Sequence, residues 1–150
     1  MANRGSFTII LAALGTLLVI LPVLAPVVFA FIALFTRGQF LFDYLLPAEL
    51  FPVVLAGGVL LIWAATRARL HRKLIIWSFA VGVVVLFGGQ AMAVATGLAT
   101  SPADPGGPWW ALALGTLIVF DLAVAVTAVG GILLLTDLFK QRKLSASGQA

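Results

Sequence analysis

The chain has 150 residues, 63% hydrophobic and 9% charged, with a formal net charge of +4. Soluble domains run about 45–50% apolar and about 25% charged, so no single water-soluble core can hold this excess and lipid must solvate most side chains. The absence of cysteine excludes disulfides, thiolate metal sites and thiol nucleophiles, and a lone histidine, His71, excludes a bis-histidine haem within one chain.

Four long apolar segments fill the chain, at 7–35, 50–65, 74–99 and 109–138. The first runs for 29 residues, about twice the ~7–15 of a signal-peptide core, and is expected to be retained as a spanning helix. It contains Pro22 and Pro26, each of which removes a backbone donor and predicts a kink. The following segment, 36–48, is too apolar for an ordinary aqueous loop. It is expected to lie along the bilayer boundary, with Arg37 and Asp43 at headgroup level.

The second helix is expected over about 48–66. Pro47 suits its first position, where a missing N–H costs nothing, and Glu49 in the first turn would face the positive end of the helix dipole. The third helix follows the basic stretch Arg67, Arg69, His71, Arg72, Lys73 and ends in the proline- and glycine-rich loop 100–108. The fourth, 109–138, stops at the basic tail Lys140, Arg142, Lys143, beyond which residues 144–150 read as a frayed end. The whole chain is thus expected to be one all-α membrane domain, a bundle of four transmembrane helices.

Orientation follows from the short loops, because Lys and Arg concentrate on the cytoplasmic side. Eight fall on one side (Arg4, Arg67, Arg69, Arg72, Lys73, Lys140, Arg142, Lys143) and Arg37 alone on the other. Both termini are therefore expected in the cytoplasm of a bacterial-type plasma membrane. The aromatic residues agree: Trp63 and Trp77 fall near the inner interface, and Tyr44, Trp109 and Trp110 near the outer one. The basic residues sit at helix ends, a placement that fits anionic lipid headgroups and excludes nucleic acid as the natural partner.

Asp121 is the one carboxylate near the middle of an apolar segment. An ionised carboxylate at a helix centre costs roughly 2.5–3.5 kcal/mol. It is therefore expected to be protonated, or to face a partner or a water-filled space. Gln90 on the third helix is the candidate partner, within about one to one and a half turns in depth. The plain alternative is that such polar groups only join helices, a contact worth about 0.6 kcal/mol on average.

Small residues recur every fourth position, at Gly89, Ala93 and Gly97 and at Ala123, Thr127 and Gly131. Such stripes let helices approach closely, within the chain or between chains. Thr96, Thr116 and Thr127 are expected to bond to their own helix backbones. His71, among Arg69, Arg72 and Lys73, is expected to be solvated rather than catalytic. Ser6, Ser78 and Ser101 have no nearby histidine, and no segment holds paired carboxylates.

The stretch LIVFDLAVAVTAVGG, 117–131, resembles the last helix of the B-type subunit of multi-subunit sodium/proton antiporters. The resemblance spans about a tenth of the chain and rests on one Phe-Asp-Leu step. The glycine-rich motif expected after that family's first helix is absent, so no functional residue is carried over.

These readings converge on a non-enzymatic accessory or structural subunit that packs laterally against other membrane proteins or against itself, with no cofactor or metal. The alternative is a small oligomeric proton- or cation-coupled transporter or channel protomer using Asp121 with Gln90. A lipid-modifying enzyme comes third, with Asp43, Glu49 and Asp104 as its only outward-facing acids.

Overall fold

The computed structural model describes residues 3–37, 50–97 and 107–147. These form four helices, α1 (Asn3–Arg37), α2 (Phe51–Ala68), α3 (Arg72–Ala95) and α4 (Pro108–Ser147). Each contains an apolar span of 18 to 30 residues that includes an 18-residue stretch with no more than two charged side chains, long enough to cross a ~30 Å hydrocarbon core at ~1.5 Å per residue. The protein is an integral membrane four-helix bundle. The expected start of the second helix at Pro47 and Glu49, and the segment 38–49 with Asp43 and Tyr44, lie outside the described residues, as do 98–106.

Helix ends depart from the apolar boundaries for local reasons. α3 stops at Ala95 rather than 99 because Gly97 takes a left-handed conformation (φ 73°), which glycine adopts without a Cβ penalty. Its N–H donates to the Val94 carbonyl at 3.2 Å, while the Thr96 N–H donates to Met92 at 2.9 Å. Gly97 therefore terminates α3 instead of extending the Gly89–Ala93 stripe. α4 runs nine residues past 138, into the region expected to fray, because the end of apolar sequence is not the end of helix propensity. Gln, Arg, Lys, Leu and Ala all favour helix in water as well as in lipid. α1 passes through Pro22 and Pro26 as one continuous helix.

Sequence neighbours pack antiparallel, and α4 returns against α1 to close the ring. The α2–α3 connection is only three residues, two of them left-handed without being glycine: Arg69 (φ 58°) and His71 (φ 50°). Such conformations cost of order 1–3 kcal/mol each and persist where the surroundings impose them. Here Leu70 between them packs against the core, which holds the turn in place.

The α1/α2 contact is made by backbone. A Cβ added to Gly15 would lie 2.9 Å from both the Gly57 carbonyl oxygen and the Leu61 nitrogen. One added to Gly57 would lie 2.9 Å from Leu18 and Val19 and 3.0 Å from the Gly15 oxygen. The α3/α4 contact is a regular antiparallel register in which Ile75 lies beside Gly130, Ser78 beside Thr127, Gly82 beside Ala123 and Gly89 beside Thr116. Of the two stripes, Gly89, Ala123, Thr127 and Gly131 meet neighbouring helices inside the chain. Ala123 and Thr127 face α3, whereas Gly131 turns to the centre, against Thr16 of α1 and Leu61 of α2.

Both described termini lie at the same end of the bundle as the α2–α3 turn. Phe7 of α1 packs edge-on against Trp63 (centroids 6.2 Å) beneath Arg67, whose guanidinium sits 5.6 Å from the Phe7 ring centre. At that end His71 contacts Asp137 of α4.

Candidate functional site

Groups of three sorts could carry function: intramembrane polar residues, buried hydroxyls and the basic end. Asp121 sits on α4 immediately after Phe120, whose ring lies 6.4 Å from that of Phe51, the first residue of α2. It is therefore level with the start of α2. Sixteen residues (121 to 137) separate it from Asp137 at the basic end, a rise of roughly 24 Å. Counting from the first residue of the fourth segment suggests mid-depth. The register instead sets Asp121 near the far edge of the region where all four helices run together. The two estimates differ because α4, with 40 residues, is about 60 Å long, twice the hydrocarbon thickness.

Asp121 is exposed. It continues the row Gly131, Ala128, Val124 up the flank of α4 that faces α1, where Thr16 lies against Gly131. Gln90, also exposed, continues the row Phe79, Val83, Phe87 on the flank of α3 that faces α2. In that row Phe79 covers Gly58, and Phe87 meets Phe51 edge-on at 5.9 Å. Gln90 lies one turn past Phe87, beyond the start of α2, so α2 no longer covers it.

The α3/α4 register puts Gln90 level with Gly115, about 9 Å beyond Asp121. The two groups thus occupy opposite flanks of the α3/α4 pair and do not meet. Among the described residues neither forms a hydrogen bond or ion pair. Helical depth alone brought them within reach on paper; helix rotation separates them.

Among the described residues the buried polar side chains are Thr8, Thr16 and Thr127. Thr16 donates to the Ala12 carbonyl at 2.7 Å and Thr127 to Ala123 at 2.8 Å. Thr96 and Thr116 likewise donate to Met92 and Leu112, each at 2.8 Å. Thr127 also meets Ser78 of α3 at 2.9 Å, while Ser78 lies 2.8 Å from the Leu74 carbonyl. This Ser78–Thr127 bridge was not legible in the sequence. Serine in an apolar helix bonds its own backbone whether or not a neighbour is present. The bridge borders a cavity of about 10 Å³ between α2, α3 and α4, walled by Phe51, Phe79, Phe120 and Val124. That space admits about one water, and it leads to no other buried polar group among the described residues.

At the basic end Arg67, Arg69, Arg72, Lys73, Lys140, Arg142 and Lys143 are all exposed. None of the seven forms an ion pair among the described residues; the one ion pair there is His71 Nε2 to Asp137 Oδ2 at 2.8 Å. His71 is thus tied to α4 rather than free in solvent. Asp137 carried no signal in the sequence, since a carboxylate among lysines and arginines reads as ordinary surface. The side chains are 32% and 45% exposed, so the pair contributes about 1 kcal/mol at most. Its effect is to hold the α2–α3 turn against α4. Trp63 and Trp77, both exposed, flank this end, at the level where indole rings prefer an interface.

Among the described residues no group of three or more His, Asp or Glu is placed to hold a metal ion. Comparisons with protein-family models, with curated proteins and with solved structures each find no match. Function must therefore be argued from the site itself.

Proposed function

We propose that this protein is a non-enzymatic lateral component of a membrane assembly, and that its partner-facing surface carries Asp121. The exposure of Asp121 supports this reading. A carboxyl exposed on the α1-side flank of α4, with no hydrogen bond or ion pair among the described residues, is costly against lipid chains and is stabilised by a hydrogen-bonding group on another protein. A transporting protomer that uses Asp121 with Gln90 is supported less, because the two groups lie on opposite flanks of the α3/α4 pair and do not meet.

The test is extraction of the tagged chain from its native membrane in mild detergent. A complex of fixed stoichiometry is expected, and Asp121→Leu is expected to reduce its recovery while the variant still inserts. A chain that stays monomeric and alone, even after cross-linking in the native membrane, would overturn the reading.

The proposal includes orientation: the basic end and both termini face the cytoplasm, where each cation near an anionic lipid surface contributes about 1 kcal/mol. With no native cysteine, Ser147→Cys supplies a single reporter. An impermeant maleimide added to intact cells should leave it unlabelled and should label it after permeabilisation. Labelling in intact cells would invert the topology.

A further inference from the structure

Two prolines inside α1 leave backbone acceptors without their helical donors. Position 22 would donate to the Leu18 carbonyl and position 26 to the Pro22 carbonyl, but proline has no N–H. Membrane helices tolerate such losses where a hydroxyl, a water or a neighbouring helix satisfies the freed carbonyl. α1 supplies no side chain for this, since residues 17–35 carry no polar group. The flanking Thr16 and Thr36 donate to Ala12 and Ile32, at 2.7 Å each. Two successive turns of α1 are therefore held by fewer hydrogen bonds than the rest, and bending is easiest there.

Packing changes at the same level. Gly15 lies against Gly57 and Leu61, so α2 begins, at Phe51, level with about Val23 of α1. Among the described residues, Pro22 and Val23 are the last on α1 to be buried or to pack against the buried core. Leu24, Val28, Phe31 and Ile32 beyond them are 54%, 52%, 57% and 51% exposed. The register with α4 adds a third coincidence. Thr16 lies against Gly131, and ten residues outward on each helix (16 to 26, 131 to 121) stand Pro26 and Asp121.

We infer that α1 is hinged at Pro22 and Pro26, and that its outer half swings about this point against the flank of α4 that carries Asp121. The lower half is fixed by backbone contact with α2 at Gly15 and by Thr16 against Gly131 of α4. The hinge lies where the α2 contact ends and where α1 has lost its own hydrogen bonds, so both constraints lapse together. Because Pro26 and Asp121 share one height, each swing changes what surrounds the carboxyl. The movement is a property of α1 and stands whether or not Asp121 meets a partner on another protein.

Because the chain has no cysteine, introduced thiols can carry nitroxide labels in the full-length protein, reconstituted in phosphatidylcholine nanodiscs. Phe31→Cys with Ile118→Cys joins the outer half of α1 to α4, at positions 57% and 51% exposed. Leu17→Cys with Val129→Cys does the same below the prolines, at 60% and 53%. Electron–electron dipolar spectroscopy should give a broad distance distribution for the outer pair and a narrow one for the lower pair. Pro22→Ala with Pro26→Ala restores both donors, and the outer distribution should then narrow to the width of the lower. A narrow outer distribution with the prolines present overturns the hinge. A broad one that the alanines leave unchanged overturns it too, as does equal breadth in both pairs. A single label at Asp121→Cys should show two mobility components with the prolines and one without them. The same spectrum in both proteins overturns the link to Asp121.

Discussion

Gly57→Leu is expected to separate α1 from α2 and to lower the stability of the bundle by about 3 kcal/mol or more, at or beyond the upper end of the cost of overpacking. The obstacle is backbone. Even the first atom of a side chain at Gly57 would meet Leu18, Val19 and the Gly15 carbonyl at 2.9–3.0 Å, and a backbone carbonyl cannot rotate aside as a flexible side chain can. Gly15→Leu should behave alike, because its Cβ would face the Gly57 oxygen and the Leu61 nitrogen. Unfolding in mixed detergent, followed by tryptophan fluorescence, measures the effect, since Trp63 lies on α2 against Phe7 of α1. Gly88→Ala and Gly115→Ala are the controls. Nothing lies within 4 Å of either added Cβ, so both should be neutral or stabilising by up to about 1 kcal/mol through helix propensity. A Gly57→Leu protein as stable as these controls would contradict the close α1/α2 crossing.

Leu61→Ala is the second large effect, for the opposite reason. Leu61 is fully buried and fills the space left by two glycines, Gly15 on α1 and Gly131 on α4. It is the side chain through which three helices meet. In water, deletion of a buried leucine side chain costs about 2–5 kcal/mol, part of it lost transfer from water and part a cavity. In a bilayer the separated helices still bury their leucines in lipid, so only the packing part remains. The expected loss is therefore near the lower end, about 2 kcal/mol, measured by the same unfolding experiment. Leu17→Ala, at a position on α1 that is 60% exposed, should leave bundle stability unchanged. An equal loss at both positions would show that leucine burial within the bundle contributes nothing beyond contact with lipid.

The two glycine interfaces and the Asp121 face have distinct consequences. Gly15, Gly57 and Gly131 are consumed in holding the protomer together, so they are unavailable for contacts between chains. Asp121 is the reverse case: α4 needs no carboxyl there for its own packing, and the neighbouring Val124 and Ala128 are buried without its help. A variant at Gly57 should therefore lose bundle stability and assembly together, whereas Asp121→Leu should lose assembly alone.

Composition and hydropathy by themselves determined the four spanning helices and the all-α membrane class, because lipid leaves no other way to satisfy a backbone than a helix or a closed barrel. They also determined that basic residues gather at one end, since loop charge is a property of position along the chain. Three things were decided only by tertiary structure. Helix rotation placed Asp121 and Gln90 on opposite flanks, which apolar sequence cannot encode when every face of a helix is acceptable to lipid. In water a polar stripe would have marked the outer face of each helix; in the bilayer that mark is erased. Register set the height of Asp121 against α2 and joined Ser78 to Thr127 and His71 to Asp137, pairs 49 and 66 residues apart. Contact geometry separated glycines that pack, such as Gly15 and Gly57, from Gly97, which ends a helix, and from Gly88 and Gly115, where an added Cβ would meet nothing within 4 Å. A missing side chain looks the same in sequence in all three roles, and only the neighbouring helix reveals which role it has.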